Sequence, residues 1–276
     1  MQKNAPDFIG IGADHAGLGI IASLLAAHPA VADSIPSCRF FNTDEYSIDG
    51  LAAYEAALPP TKKGQLRGEC SVEYLSSPVA AERIVTAYPT TKLFVIVREP
   101  LDRAIAVYEH AKSLGQVPAR TSCAQYLVNH PTVQTEGFYG HHLNAYFAYY
   151  TSLQLYVIVY EDFVREPLKV LQRLYAFLEL KADFVPKALA SYAPPPEEPK
   201  HPGKMYRLIR LIKTLYKKLH KKPFVPATPP PFNKAQYFSP TEMSAFKTAY
   251  AGDAAYLTNL LHRDMGVFWE LTPDPE

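Results

Sequence analysis

Cysteine is scarce in this chain of 276 residues: Cys38, Cys70 and Cys123 are few, odd in number and without metal-ligand spacing. That excludes a disulfide framework and a zinc cluster, and makes a reduced compartment the simpler expectation. Charge of one sign is lacking too. Twenty-eight basic residues against 27 acidic ones leave a formal net charge of +1, so no global field points to nucleic acid or an acidic polymer, and any basic site must be local. Long apolar runs are also missing: no segment approaches the roughly 18 continuous apolar residues of a spanning helix. The opening MQKNAPDFIG has no charged lead into such a run, and the resulting expectation is a cytoplasmic protein. A fourth absence is chemical. The sequence Phe8 to Pro29, FIGIGADHAGLGIIASLLAAHP, reads as strand, glycine-dotted turn and helix, yet it carries no lysine, arginine or threonine in the turn. A nucleotide triphosphatase needs G-x-x-x-x-G-K-[ST], whose lysine neutralises phosphates and whose hydroxyl holds magnesium, so that class is excluded.

What is present begins with apolar residues, 48% of the chain, enough for a sizeable core. Three short runs, FIGIG from Phe8, LFVIV from Leu93 and LYVIV from Leu155, are β-branched or aromatic and continuous rather than alternating, as strands buried on both faces are. Helical patterns lie between and after them, from Ile20 to Ala27, Ser77 to Tyr88, Leu101 to Ser113, Tyr139 to Tyr149 and Glu166 to Leu178. This alternation predicts an α/β fold with a parallel sheet flanked by helices. Ser239, Pro240 and Glu242 form a helix start signal near the end of the chain. Twenty-five prolines cluster late, in two rigid connectors around MYRLIRLIKTLYKKLHKK, an amphipathic basic helix at 205–222. Its apolar face can cover the core, lie on an anionic membrane or bind an acidic partner.

The opening loop can hold an anion on backbone N–H groups and the helix dipole without any side chain, or it can be no more than a tight turn shaped by Gly17 and Gly19. A dinucleotide fingerprint fits poorly, because His15 stands where the third glycine would be. The second strand runs into VREPLDRAIAVYEH, which sets Arg98 at the sheet edge where ligands of open parallel sheets gather. For Arg98 the choice lies between anion binding and a salt bridge to Glu99, Asp102 or Glu161.

These segments resemble the sulfotransferase family. FIGIGADHAGLGIIASLLAAHP is similar to its 5′-phosphosulfate loop, CRFFNTDEYSIDGLAAYEAALP to its Phe-Phe segment, RGECSVEYLSSPVAAERI to its G-E-K-S-x-x-Y stretch, and REPLDR to its strand-arginine-x-proline-helix segment. GFYGHHLNAYF, IVYEDFVREPLKVLQRLYAFLEL and the tail FKTAYAGDAAYLTNLLHRDMGVFWE continue the match in order. The resemblance implies a sulfotransferase fold, with a P-loop-NTPase-like parallel sheet, as a single domain over 1–276 carrying a proline-rich, basic-helix insertion at 194–238.

It also implies a donor, 3′-phosphoadenosine 5′-phosphosulfate (PAPS), leaving as 3′-phosphoadenosine 5′-phosphate (PAP), with no metal. The implied acceptor is a hydroxyl of a glycan, lipid or small metabolite, and no nucleic acid is expected. The implied donor site comprises Ala16, Gly17, Leu18 and Gly19 in the loop, Arg98 with the position of Ala106 on the 3′-phosphate, and Lys204 from a basic loop. His15 takes the place of the catalytic lysine, and as an imidazolium it can donate to the bridging oxygen. Departures from the family pattern are Leu18 for threonine, Ser37 for the base, Cys70 for lysine and Ala106 for serine. They keep a second reading open, a non-catalytic relative serving as a binding or scaffold module, peripheral to a membrane through 205–222. A third reading is a nucleotide-binding protein with another ligand. His141 and His142, after Tyr139, are candidates for a base or for solvated surface residues.

Overall fold

All three apolar runs become neighbouring strands of one sheet. The computed structural model describes residues 5–190 and 231–271. Its strands are β1 (Phe8–Gly10), β2 (Gly68–Cys70), β3 (Lys92–Val97) and β4 (Leu155–Val159), in the order β2-β1-β3-β4. Every pair is parallel, with Gly10 opposite Phe94 and Cys70, and Val97 opposite Val159. Leu93 through Val97 are wholly buried, the consequence of helices on both faces and the reason these strands lack polar alternation.

β2 gave no apolar signal, because its middle residue is Glu69, fully buried. The carboxylate is tolerated because it is satisfied: it accepts from Cys38 N (2.9 Å), Ser71 Oγ (2.7 Å) and Tyr74 Oη (2.9 Å). Burial raises its pKa, and these hydrogen bonds work in the opposite direction. Glu69 thus ties β2 to the 37–41 segment.

The helices are α1 (Leu18–Ala26), α2 (Leu51–Ala57), α3 (Pro78–Ala87), α4 (Pro100–Ser113), α5 (Cys123–Asn129), α6 (Pro131–Thr135), α7 (Tyr139–Phe147), α8 (Tyr160–Arg165), α9 (Pro167–Phe177), α10 (Lys187–Ala190), α11 (Pro240–Leu261) and α12 (Met265–Phe268). Their starts follow the sequence signals. Ser77 caps α3 by accepting from Ala80 N, and Ser239 with Glu242 completes a capping box on α11, each cap contributing about 1 kcal/mol. Among the described residues no helix is long and apolar enough to cross a membrane.

The chain steps from β1 outward to β2, returns across the sheet to β3 and continues to β4. Connections leaving β1 and β3 therefore diverge, and a crevice opens beyond their C-terminal ends. A second apolar cluster, with Leu101, Ile105, Tyr108, Leu127 and Phe238, joins α4 and α5 to the returning chain. Residues 231–238, read from sequence as the end of an insertion, pack here on α4: Phe238 is buried and Lys234 lies 3.1 Å from Glu99 Oε2. Segment 205–222 and Lys204 lie outside the described residues.

Candidate functional site

Two structures meet in that crevice, the loop after β1 and the end of β3. The loop stays registered to the sheet, with Ile11 N donating to Phe94 O (2.9 Å), Ala13 N to Ile96 O (2.8 Å) and Ile96 N to Gly12 O (2.8 Å). It then turns through two left-handed residues, His15 (φ 55) and Gly17 (φ 100). A side chain at Gly17 would be strained by that φ and would meet the Tyr160 ring at 3.2 Å. A left-handed residue followed by helical ones turns successive amides toward one side. Gly17 offers α1 no side-chain cap, and no acidic residue stands in its first turn, so amides with no intrahelical partner and the positive end of the dipole face the crevice.

Arg98 arrives from the other side, 2% exposed. Its Nη1 donates to His15 O (3.3 Å), and its guanidinium lies 4.7 Å from the Tyr160 ring and 5.5 Å from that of Phe232. Nε and Nη2 are buried with no hydrogen-bond partner among the described residues. Its three sequence-level salt-bridge candidates are engaged elsewhere: Glu99 with Lys234, Asp102 with Phe232 N (3.2 Å), and Glu161 with Glu99 N (2.8 Å) and Trp269 Nε1 (3.1 Å). A buried cation with two unused donors costs stability unless an anion joins it, which favours the anion-binding alternative.

His15 is 23% exposed, its Nδ1 3.0 Å from Asp14 Oδ2. Burial works to raise the Asp14 carboxyl, but the hydrogen bonds and charge of His15 outweigh it and hold Asp14 below its ordinary value. The ring of His110, on α4, has its centroid 5.2 Å from that of His15. Ala106 is half-buried one turn earlier, on the same side of the helix.

A crevice of about 240 Å³ opens beside the loop, lined in part by Ala13, Asp14, Arg39, Glu73, Ser76 and Glu136. Its charges are largely paired: Arg39 binds Glu73, and Arg103, fully buried on α4, binds Glu136 at 3.2 Å. Ser37 Oγ lies 3.3 Å from Ser71 Oγ, and burial raises the Cys70 thiol far above its ordinary value. Among the described residues no cluster of His, Cys, Asp and Glu has the makings of a metal site.

The structure thus brings together His15, Ala16, Gly17, Leu18, Gly19 and Arg98, with Ala106 alongside. His141 and His142 stand elsewhere, at the seam of α7 and α11. His142 Nε2 lies 3.0 Å from Thr135 O, and Asp253 accepts from His141 N at 2.7 Å. Sequence reasoning missed His110, Tyr160 and Phe232. The first sits one helical turn past Ala106 on a predicted helix, a spacing that could have flagged it. Nothing local marks Phe232, which reaches Arg98 only through the returning chain.

The sulfotransferase domain family matches residues 9–194. Mouse heparan sulfate glucosamine 3-O-sulfotransferase 5 is 27% identical over 191 residues, which cover 65% of this chain and 55% of that protein. Human heparan sulfate glucosamine 3-O-sulfotransferase 6 is 28% identical over 188 residues, covering 65% and 54%. The chain spans about half the length of the curated relatives it matches. Among solved structures, a sulfotransferase from Alicyclobacillus acidocaldarius aligns with a TM-score of 0.71 at 22% identity over 96% of this chain and 99% of that one. A mouse sulfotransferase complexed with PAP aligns at 0.59 and 13% identity over 96% and 88%. At these identities the two structures establish a shared fold.

Proposed function

Since the chain belongs to the sulfotransferase domain family, we propose that it moves a sulfuryl group from PAPS to a hydroxyl of a glycan, lipid or small molecule. The observation that carries this reading is Arg98, whose buried Nε and Nη2 lack partners among the described residues at the switch point of the sheet, opposite an uncapped helix start. A nucleotide with phosphate at both the 3′ and 5′ positions complements that pair of sites. Arg98 takes the 3′-phosphate, and the amides of Gly17, Leu18 and Gly19 with the α1 dipole take the 5′-phosphate. Ala106 contributes contact but no hydrogen bond, and Lys204 is assigned to the donor from the family pattern alone. His15, as an imidazolium, steadies charge on the bridging oxygen. Catalysis then rests on in-line placement and charge stabilisation, the physics of phosphoryl transfer applied to sulfur. A glycan acceptor draws support from the names of the heparan sulfate relatives.

A second reading, a binding module without turnover, is favoured by one observation. Ser37, in the position of the family base, has Ser71 as the one side-chain partner of its Oγ among the described residues, and loss of a general base costs a factor of about 10²–10⁴. Calorimetry with PAP tests the donor site: micromolar binding abolished by Arg98→Ala supports it, and no binding to the wild type removes it. Binding with no sulfate transfer to any hydroxyl acceptor would favour the module. In either reading we take the chain as one domain, with 205–222 as a candidate contact with an anionic membrane surface.

A further inference from the structure

A sulfuryl-transfer site needs a group to receive the acceptor's proton, and the carboxylates around this crevice are committed. Glu73 binds Arg39, Glu136 binds Arg103, Glu99 binds Lys234, and Glu69 is enclosed by its own hydrogen bonds. Ser37 is not basic, and His141 and His142 stand at the α7–α11 seam. His110 differs from all of these. It is exposed, its ring packs 5.2 Å from that of His15 at an interplanar angle of 56°, and among the described residues that ring forms no hydrogen bond or ion pair.

Resting on the donor site described above, we propose that His110 is the general base of the reaction and that His15 is its charged counterpart on the leaving oxygen. The two rings are made unequal by their surroundings. His15 Nδ1 lies 3.0 Å from Asp14 Oδ2, and the donor site sets the phosphosulfate on that side, so His15 is the ring placed to donate to the leaving oxygen. On its own helix His110 is flanked by Glu109 and Lys112, which lie 3.9 Å from each other, and Arg39 faces Asp14 from the 37–41 segment. The adjacent rings thus set a proton donor and a proton acceptor side by side.

In the step itself the acceptor oxygen forms a bond to sulfur while its proton passes to the neutral ring of His110. The bond between sulfur and the bridging oxygen breaks, and its electron pair stays on the 5′-phosphate of PAP, where the His15 N–H donates a hydrogen bond. His110 then releases its proton to solvent.

The test uses the full chain, PAP in calorimetry, and sulfate release from radiolabelled PAPS with water as acceptor, from about pH 5 to about pH 9. For His110→Gln the expectation is PAP affinity within about twofold of wild type, a rate lower by about 10² or more, and loss of the acid limb of the pH profile. A rate within about threefold of wild type, or a fall in PAP affinity that matches the fall in rate, overturns the assignment. So does a wild type that binds PAP but releases no sulfate at any pH. Absence of PAP binding to the wild type removes the donor site itself, an outcome distinct from these.

Discussion

The guanidinium of Arg98 rests 4.7 Å from the ring of Tyr160, and the same ring would obstruct any side chain at Gly17 from 3.2 Å away. One aromatic face therefore sets both halves of the candidate donor site, the cation at the end of β3 and the turn that opens α1. Tyr160 is buried at the junction of β4 and α8, so the geometry of the loop depends on a strand far from it in sequence.

Arg98→Met should abolish PAP binding, by about 10²-fold or more, while leaving the melting temperature unchanged or raising it by a few degrees. An apolar isostere removes a buried charge whose Nε and Nη2 have no partner among the described residues. Thermal denaturation and calorimetry on the same sample decide this, and a large loss of stability would assign Arg98 to the architecture instead.

His15→Ala should lower sulfate release from PAPS by about 10²-fold, and His15→Lys should retain most of it, because a fixed ammonium restores the donor on the bridging oxygen. Equal rates in wild type and His15→Ala would end the catalytic role of this residue.

Gly17→Ala should cost about 1–2 kcal/mol, since φ is 100 there and an L-residue pays that much in the left-handed region. It should also weaken PAP binding through displacement of Tyr160 from beneath Arg98. Urea unfolding gives the first quantity and calorimetry the second; an unaffected affinity would uncouple the turn from the arginine.

Glu99 yields a pH dependence of stability. Burial pushes its carboxyl up to about 7 from 4.5, although the Lys234 ammonium at 3.1 Å opposes the shift. The folded state therefore holds this proton more tightly than the unfolded one, so the contribution is complete below about 4.5 and is lost as pH rises through about 7. The melting temperature of wild type, followed across that window, should fall by a few degrees relative to Glu99→Gln. Parallel curves for the two proteins would refute the shift.

Much of this was legible in the chain. Strands β1, β3 and β4 announced themselves as continuous apolar runs because burial on both faces leaves no polar alternation, and α11 because Ser239 is a cap residue. β2 was silent, since its three residues are built around a carboxylate whose partners lie on another segment. Arg98 could be placed at the sheet edge from its position after a strand, but its choice between ion pair and free donor could not.

The sequence alone determined the alternation of strands and helices and the turn without a lysine, because hydrophobic periodicity, helix caps and glycine act within a few residues of one another. Only the tertiary structure decided that two Arg98 donors have no partner among the described residues, that His110 packs beside His15, and that Phe232 returns to cover the guanidinium. Those outcomes depend on which distant groups meet when the core closes, and contacts across such separations are set by packing the whole chain, not by any local preference.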